Sequence, residues 1–295
     1  MDNNKIIDGK VIAEQIKKEI AAEVASMIDK GMPAPHLAAV IVGDDGASKT
    51  YVASKEKACQ SVGMTSSVYR LSEHTTEKEM LEMVEFLNND PEIDGYIIQL
   101  PLPKHIDENK VINAINPAKD VDGFTSVNAG RMQLGHPCFI PATPNGIMEL
   151  IKRSGIETVG KKVVVLGRSN IVGTPMAILM SRKGIDSTVT LCHSRTQNLP
   201  EVTREADILI AAIGKQGFVT ADMVKPGAVV IDVGIHRIDD PNSPKGYKIL
   251  GDVDYDEVYK VASKITPVPG GVGPMTIVSL LQNTLKAAKG EIYPK

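Results

Sequence analysis

The sequence has few cysteines, no block of basic residues and no long apolar run. Its three cysteines, Cys59, Cys138 and Cys192, are odd in number and widely spaced, which argues against a disulfide framework and favours a reducing compartment. Lysine and arginine are dispersed and the formal net charge is −3, so bulk charge gives no support to nucleic-acid binding. No apolar run approaches the roughly 20 residues of a membrane helix, and no secretory signal is apparent. We therefore expect a cytoplasmic protein that binds neither nucleic acid nor membrane.

Histidine and cysteine do not form a metal-binding pattern. His136 is close to Cys138, and Cys192 is next to His193, but neither pair has further ligands at the spacing of a protein metal site. We therefore expect no bound metal.

What the sequence does contain is an alternation of helix-like and strand-like segments. With 295 residues, of which 42% are hydrophobic, the chain can bury a sizeable core, and its length suggests about two domains. The first part predicts helices at 8–30, 48–63, 75–90 and about 107–115, and strands at 36–43, 66–71 and 94–100. This order favours a parallel sheet covered on both faces.

A second alternation begins after residues 119–146, a stretch rich in Gly, Pro and Asn that we interpret as loops around a domain boundary. It predicts helices at 147–154, 173–183, 199–204 and about 275–289, strands at 162–166, 188–192, 207–212 and 228–233, and a polar surface loop at 239–248. The whole chain is therefore predicted to be an α/β protein.

The segment GRSNIVGTP (167–175) follows a predicted strand and resembles a dinucleotide-binding loop. Gly167 suits the tight turn, and Gly173 suits close packing of helix and strand, although it is displaced by one residue from the usual fingerprint. Ser169 stands where a second glycine usually lets the backbone approach the pyrophosphate. The alternative is an ordinary strand-to-helix turn, but the strand before and the helix after are the context that the motif requires.

The next predicted strand favours NADP over NAD. NAD-binding folds usually place Asp or Glu about 20 residues after the glycine loop, where it binds the ribose hydroxyl. Here Ser194 and Arg195 occupy that place. A hydroxyl beside a cation suits a 2′-phosphate, and Arg168 can reach the same group. The alternative for Arg195 is a solvated surface residue.

Four polar residues of the first part are candidates for chemistry. Tyr51 and Lys55 share one face of a predicted helix. Gln99 ends a buried strand, at the edge of the sheet where ligands bind, and Asp122 lies in a later loop. Each has a structural alternative: a surface pair, an amide bonded to a loop, or a turn-capping Asp. In addition, PVPGGVGP (267–274) predicts a rigid loop whose backbone can contact a flat ligand.

Seven short segments of the sequence form a recognisable set. They are TYVASKEKA (50–58), GYIIQLPLP (95–103), KDVDGF (119–124), PATPNGI (141–147), GRSNIVGTPM (167–176), DVGI (232–235) and PVPGGVGPMT (267–276). In this order, over nearly the whole chain, they resemble the bifunctional methylenetetrahydrofolate dehydrogenase/methenyltetrahydrofolate cyclohydrolase family. Gln216 and His236 depart from the family pattern without touching a matched catalytic position.

The resemblance implies an activity and an architecture. Members oxidise 5,10-methylenetetrahydrofolate with NAD(P)+, here expected to be NADP+, and hydrate the methenyl product to 10-formyltetrahydrofolate. The implied fold is a folate-binding catalytic domain at 1–146 and 275–295 and a Rossmann-like NADP-binding domain at 147–274, with the C-terminal helix returning to the first domain. A homodimer is also implied.

The resemblance further implies roles for individual residues. Lys55 is expected to be the catalytic lysine, and Gln99 to bond near it. Tyr51 is expected to pack on the folate and Asp122 to bind its pterin. Further residues expected to line the substrate site are Pro269, Gly270 and Gly271. Those expected to contact NADP are Gly167, Arg168, Ser169, Gly173, Ser194, Arg195 and Ile235.

Other functions stay open on the sequence alone. Short-chain dehydrogenases also carry Tyr-x-x-x-Lys, but there the pair follows the cofactor loop on the same sheet, whereas Tyr51 and Lys55 precede it. A shikimate-type dehydrogenase has a similar two-domain plan, and a sensor with a dead site would bind NADPH without turnover, although such a site has no reason to keep all four candidate residues. A formyl-folate ligase is disfavoured because no G-x-x-x-x-G-K-[ST] segment occurs.

Overall fold

The computed structural model describes residues 5–44, 46–243 and 246–294, which divide into two compact units. We call residues 14–142 with 277–294 the three-stranded unit, and residues 5–13 with 143–276 the five-stranded unit. Residues 5–13, which are predicted to belong to the first domain, cluster with the five-stranded unit instead. The reason is a backbone contact: the Ile7 N–H donates to the Ile265 oxygen at 2.9 Å.

The three-stranded unit is built on a parallel sheet of order β2-β1-β3. Its central strand has a continuous apolar run that is buried except at the two end residues, as expected for a parallel strand covered on both faces. The strands are β1 (His36–Val42), β2 (Thr65–Leu71) and β3 (Gly95–Ile98), and the helices of this part of the chain are α1 (Gly9–Asp29), α2 (Gly46–Ser61), α3 (Glu77–Asn89), α4 (Glu108–Ala114) and α5 (Ser126–Leu134). Helix α3 begins with a capping box of Thr76 and Glu79, which fixes its start.

The five-stranded unit has a parallel sheet of order β10-β7-β6-β4-β5. Its strands are β4 (Lys162–Leu166), β5 (Thr188–Cys192), β6 (Ile208–Ala211), β7 (Val229–Asp232) and β10 (Lys264–Ile265); β8 (His236–Asp239) and β9 (Tyr247–Leu250) form an antiparallel hairpin. Its helical segments are α6 (Ala142–Arg153), α7 (Gly173–Met180), α8 (Leu199–Arg204), a short 3-10 helix (Ala221–Met223) and α9 (Tyr255–Val261). The chain moves from β4 to β5 on one side and to β6 on the other, so β4 and β6 flank a topological switch point, where open α/β sheets bind ligands.

The last helix, α10 (Val272–Ala288), carries the chain back to the three-stranded unit, which contains residues 277–294. This confirms the predicted return of the C-terminal helix. Among the described residues, no helix combines the length and the apolar character needed to cross a membrane.

Two regions differ from the predicted elements. Residues 119–146, predicted as loops, contain all of α5 and the start of α6. Thr125 caps α5 by accepting the Asn128 N–H, and Gly135 ends it with φ 74°. Residues 239–248 are predicted to be a polar surface loop. In the structure, Tyr247 and Lys248 belong to β9 and pair with Asp239 and Ile238 of β8.

Candidate active site

Lys55 is a buried amine on α2, with only 6% of its surface exposed. Its Nζ lies 3.4 Å from Gln99 Oε1 and 4.6 Å from the centre of the Tyr51 ring. Tyr51 and Lys55 meet because they are one helical turn apart. Gln99 meets them because its N–H donates to the Val40 oxygen at 2.9 Å, which extends the β3 ladder by one residue. The side chains of three predicted site residues thus converge.

Electrostatics makes the amine suited to proton exchange. Burial lowers the pKa of Lys55, because water no longer solvates its charge, while the nearby Asp122 and Cys59 act in the opposite direction. Burial likewise raises the pKa of Asp122. The positive charge of Lys55 lowers this pKa, and the negative charge of Asp120 raises it. The two charges therefore lie close enough to interact. Asp122 is in the same unit as the three converging side chains, and the catalytic roles of the four residues stay a prediction.

The loop that carries Asp122 is held by the buried carboxylate of Asp120. Asp120 accepts the Phe124 N–H at 3.1 Å, the Thr125 N–H at 2.8 Å and the Asn128 amide at 2.8 Å. The Tyr293 hydroxyl donates to Asn128 Oδ1 at 2.8 Å, so the C-terminal segment completes this network. A buried carboxylate needs such partners, and these fix the loop.

Helix α10 supports the same loop from its buried Asn283. The Asn283 side-chain amide donates to the Val121 oxygen at 2.8 Å and to the Ile140 oxygen at 2.9 Å. Sequence reasoning missed Asn283, although an Asn within an apolar helical face is a signal that it has a specific buried partner.

In the five-stranded unit, the glycine loop is as tight as its sequence predicts. Gly167 has φ 104°, and a Cβ there would lie 2.1 Å from the Ala212 oxygen. A Cβ on Gly173 would lie 1.9 Å from the Gly167 oxygen. Both positions therefore require glycine, the first for its backbone conformation and both for close backbone packing.

Ser169 has a structural reason to replace the usual second glycine. Its Oγ accepts the Val172 N–H at 3.2 Å and the Gly173 N–H at 3.4 Å, so it closes the turn that leads into α7. Its side chain is exposed and lies at the start of a helix, where backbone N–H groups favour an anionic ligand.

The end of β5 adjoins the glycine loop. The Gly167 N–H donates to the Cys192 oxygen at 3.0 Å, which joins the two loops at the sheet edge. Arg168, Ser194 and Arg195 are exposed there. Two cations and a hydroxyl suit a 2′-phosphate, so the residues present fit NADP.

The remaining predicted residues also lie in the five-stranded unit. Ile235 follows β7 and is 60% exposed, so its side chain is accessible to a ligand. Pro269, Gly270 and Gly271 follow β10, and the Gly270 oxygen accepts the Lys10 N–H at 3.1 Å. These three residues therefore belong to a different unit from Lys55. Over the described ranges, no group of three or more His, Cys, Asp or Glu side chains is placed to hold a metal ion.

A dinucleotide loop at a switch point and a buried lysine beside an amide and a carboxylate define a class of protein: a nicotinamide-dependent oxidoreductase with a second, proton-transferring site. Models of the tetrahydrofolate dehydrogenase/cyclohydrolase family match this chain, the catalytic domain over residues 7–122 and the NAD(P)-binding domain over residues 141–292. The chain belongs to this family, and the predicted family, fold class and NADP cofactor are confirmed.

Relatives are similar to this chain over nearly its full length. The bifunctional protein FolD of Bacteroides thetaiotaomicron is 59% identical over 290 residues, 98% of this chain and 99% of its own. The structure of the bifunctional FolD methylenetetrahydrofolate dehydrogenase/cyclohydrolase of Campylobacter jejuni has a TM-score of 0.91 at 45% identity, covering 97% of this chain and 99% of its own. The Trypanosoma brucei methylenetetrahydrofolate dehydrogenase-cyclohydrolase, complexed with NADP and an inhibitor, has a TM-score of 0.92 at 39% identity, covering 97% and 98%.

Proposed function

We propose that this chain oxidises 5,10-methylenetetrahydrofolate to the methenyl form with NADP+ and hydrates that product to 10-formyltetrahydrofolate. The observation that carries the proposal is the burial of Lys55 against Gln99 and Tyr51, with Asp122 close enough to affect its pKa. An amine in this setting suits the second reaction, which needs proton transfers, and the NADP-binding unit suits the first.

The oxidation requires mainly that the protein align the substrate with the nicotinamide. Hydride leaves a carbon that lies between two nitrogens, and their lone pairs stabilise the cation that remains. Bound NADP+ supplies the hydride acceptor. Gly167, Ser169 and Gly173 would hold its pyrophosphate at the start of α7, and Arg168, Ser194 and Arg195 its 2′-phosphate. Ile235 would contact the cofactor from the end of β7.

The hydration requires a base. Lys55, whose pKa is lowered by burial, takes one proton from the attacking water and returns it to a folate nitrogen as the ring opens, and the second proton of that water is released to solvent as the formyl C=O bond forms. Gln99 Oε1 orients the amine, because its own amide donates to the Leu100 oxygen at 2.9 Å and so leaves the oxygen facing Lys55. Nearby positive charge on the methenyl group favours the neutral amine further.

Substrate recognition falls to the groups around the lysine. The Tyr51 ring offers a flat apolar face to the folate, and the Asp122 carboxylate accepts N–H groups from the pterin. The catalytic role is thus assigned to the three-stranded unit and the cofactor role to the five-stranded unit.

Two spectrophotometric assays test the proposal. NADPH formation from methylenetetrahydrofolate measures the oxidation, and decay of the methenyl absorbance measures the hydration. Both activities are expected from the purified chain, with shikimate as a substrate that gives no NADPH. Oxidation of shikimate, or binding of NADPH without turnover of the folate, would contradict the proposal.

We also infer that the chain acts as a homodimer in the cytoplasm. The family resemblance supports the dimer, and the odd number and wide spacing of the three cysteines suit a reducing compartment. Light scattering coupled to size-exclusion chromatography tests the dimer, and a single 31.7-kDa species at assay concentrations would contradict it.

A further inference from the structure

Two carboxylates that the proposed reactions do not use lie buried in the five-stranded unit. Asp232 is the last residue of β7 and is 3% exposed, and Asp252, between β9 and α9, is fully buried. A buried carboxylate is costly unless it is hydrogen-bonded, so the groups that these two bind indicate what they hold in place.

Asp252 binds the loop that follows β6. Its Oδ2 accepts the Ile213 N–H at 2.7 Å and the Gly214 N–H at 2.9 Å, and its Oδ1 accepts from His236 Nε2 at 2.7 Å. One side chain therefore fixes two successive peptide groups directly after the strand.

That loop borders the proposed NADP site. Strand β6 lies beside β4 at the switch point, and the Ala212 oxygen is the atom that a Cβ on Gly167 would approach to 2.1 Å. The β6 loop and the glycine loop are thus packed backbone to backbone. A small displacement of the first changes the space available at the second.

Asp232 in turn holds Asp252. Its Oδ1 accepts the Asp252 N–H and the Gly234 N–H, both at 2.9 Å, and its Oδ2 accepts the Val253 N–H at 3.0 Å. Burial raises the pKa of Asp232 to about 6, although these three N–H groups act in the opposite direction. Gly234 directly precedes Ile235, so the same carboxylate also sets the turn that presents Ile235.

The backbone passes close to both carboxylates at two glycines. A Cβ on Gly251 would lie 1.8 Å from Asp232 Oδ2, and a Cβ on Gly234 would lie 2.4 Å from Asp252 Oδ1. Glycine at both positions lets the backbone close around the two acids. The result is a rigid polar cluster rather than a pair of adaptable side chains.

We propose that Asp252, seated by Asp232, is a positioning residue that holds the β6 loop in the conformation that binds NADP. The proposal rests on the proposed function, because it assigns NADP to the switch point of this sheet. This role should affect oxidation but not hydration, because hydration consumes no nicotinamide cofactor and so does not depend on the β6 loop.

The test combines Asp252→Asn, which keeps one acceptor oxygen, with Asp252→Ala, which keeps none. Titration of the purified full chain with NADPH, followed by NADPH fluorescence, should show Kd raised at least about 3-fold in the Asn variant and about 10-fold or more in the Ala variant. The KM for NADP+ should rise in parallel, while the hydration rate stays within about 2-fold of wild type.

Asp254→Ala is the matched control, because Asp254 is a neighbouring carboxylate that also accepts a backbone N–H, that of Glu257, but only to cap α9. It should leave Kd for NADPH unchanged. An unchanged Kd in Asp252→Asn, or equal losses of binding and hydration, would overturn the positioning role; the Asn variant decides the matter even if the Ala variant does not fold. Absence of folate turnover in the wild type would instead overturn the proposed function.

Discussion

The side-chain amide of Asn283 donates to the backbone oxygen of Val121 at 2.8 Å, one residue before Asp122. A residue near the end of the chain thereby sets the position of a residue in its first half. The same amide also binds the Ile140 oxygen, so both of its N–H groups are used within the three-stranded unit.

Replacement of Asn283 should affect both stability and folate binding. Asn283→Ala leaves the Val121 and Ile140 oxygens buried without this donor, which should lower the free energy of unfolding by about 2 kcal/mol. Because the Asp122 loop loses a support, the KM for the folate should rise more than the KM for NADP+. Urea denaturation and steady-state kinetics measure these effects. Gln282→Ala, on the same helix, is the control, and equal increases in both KM values would contradict the expected role.

Removal of the Lys55 amine should separate the two activities. Lys55→Met keeps the apolar length of the side chain but cannot transfer a proton, so hydration should fall by about 100-fold or more, while oxidation is retained in part. Lys57→Met, at an exposed position of the same helix, should leave both rates near wild type. A Lys55→Met variant that hydrates methenyltetrahydrofolate normally would remove Lys55 from the role of base.

The hydration rate should depend on pH through Lys55. Burial lowers the pKa of this amine, so its neutral, proton-accepting form increases as pH rises towards that pKa. After subtraction of the uncatalysed reaction, kcat for hydration should therefore rise with pH and then level off. Asp122→Asn removes a negative charge that raises the pKa of Lys55, and it should move this rise to lower pH. A profile that the substitution does not move would contradict the coupling.

Cofactor selectivity should depend on the cations at the ends of β4 and β5. Arg168→Ala removes one of them, so the KM for NADP+ should rise about 10-fold or more while the KM for NAD+ changes little. Initial rates measured with each cofactor give the two KM values. Arg204→Ala, an exposed position on α8, is the control. Equal effects of Arg168→Ala on both cofactors would show that this arginine does not bind the phosphate.

Two helical glycines should respond in opposite ways to alanine. Gly173→Ala places a methyl group 1.9 Å from the Gly167 oxygen and should cost about 2 kcal/mol or more, together with NADPH binding. A methyl group added by Gly130→Ala, on α5, meets nothing within 4 Å apart from its chain neighbours and the backbone of its own helix, so this substitution should stabilise the protein by up to about 1 kcal/mol. Thermal unfolding of the two variants checks the difference, and similar effects of the two substitutions would argue against the tight packing at Gly173.

The sequence predicts those features that depend on neighbouring residues. Strand β1 is recognisable from its apolar run, α3 from its capping box, and the pairing of Tyr51 with Lys55 from helical spacing. Helix α5 was missed because its Gly and Asn content resembles a loop, although Thr125 and Gly135 mark its two ends.

The missed features of the site depend on contacts that are distant in sequence. Asn283 and Val121 are separated by 162 residues, and Asp252 and Ile213 by 39. No local pattern specifies such a partner, because burial of a polar side chain is decided by the packing of the whole unit. The sheet order that places β6 beside β4 is likewise a consequence of tertiary packing.

Each unit is made of two separate stretches of chain: residues 5–13 complete the five-stranded unit, and residues 277–294 complete the three-stranded unit. During synthesis, the central part of the three-stranded unit therefore leaves the ribosome long before the helix that supports its Asp122 loop. Its native packing must wait until residues 277–294 have been synthesised. No single cleavage of the polypeptide therefore releases either unit intact. Expression of one unit alone requires that its two separate stretches of chain be joined.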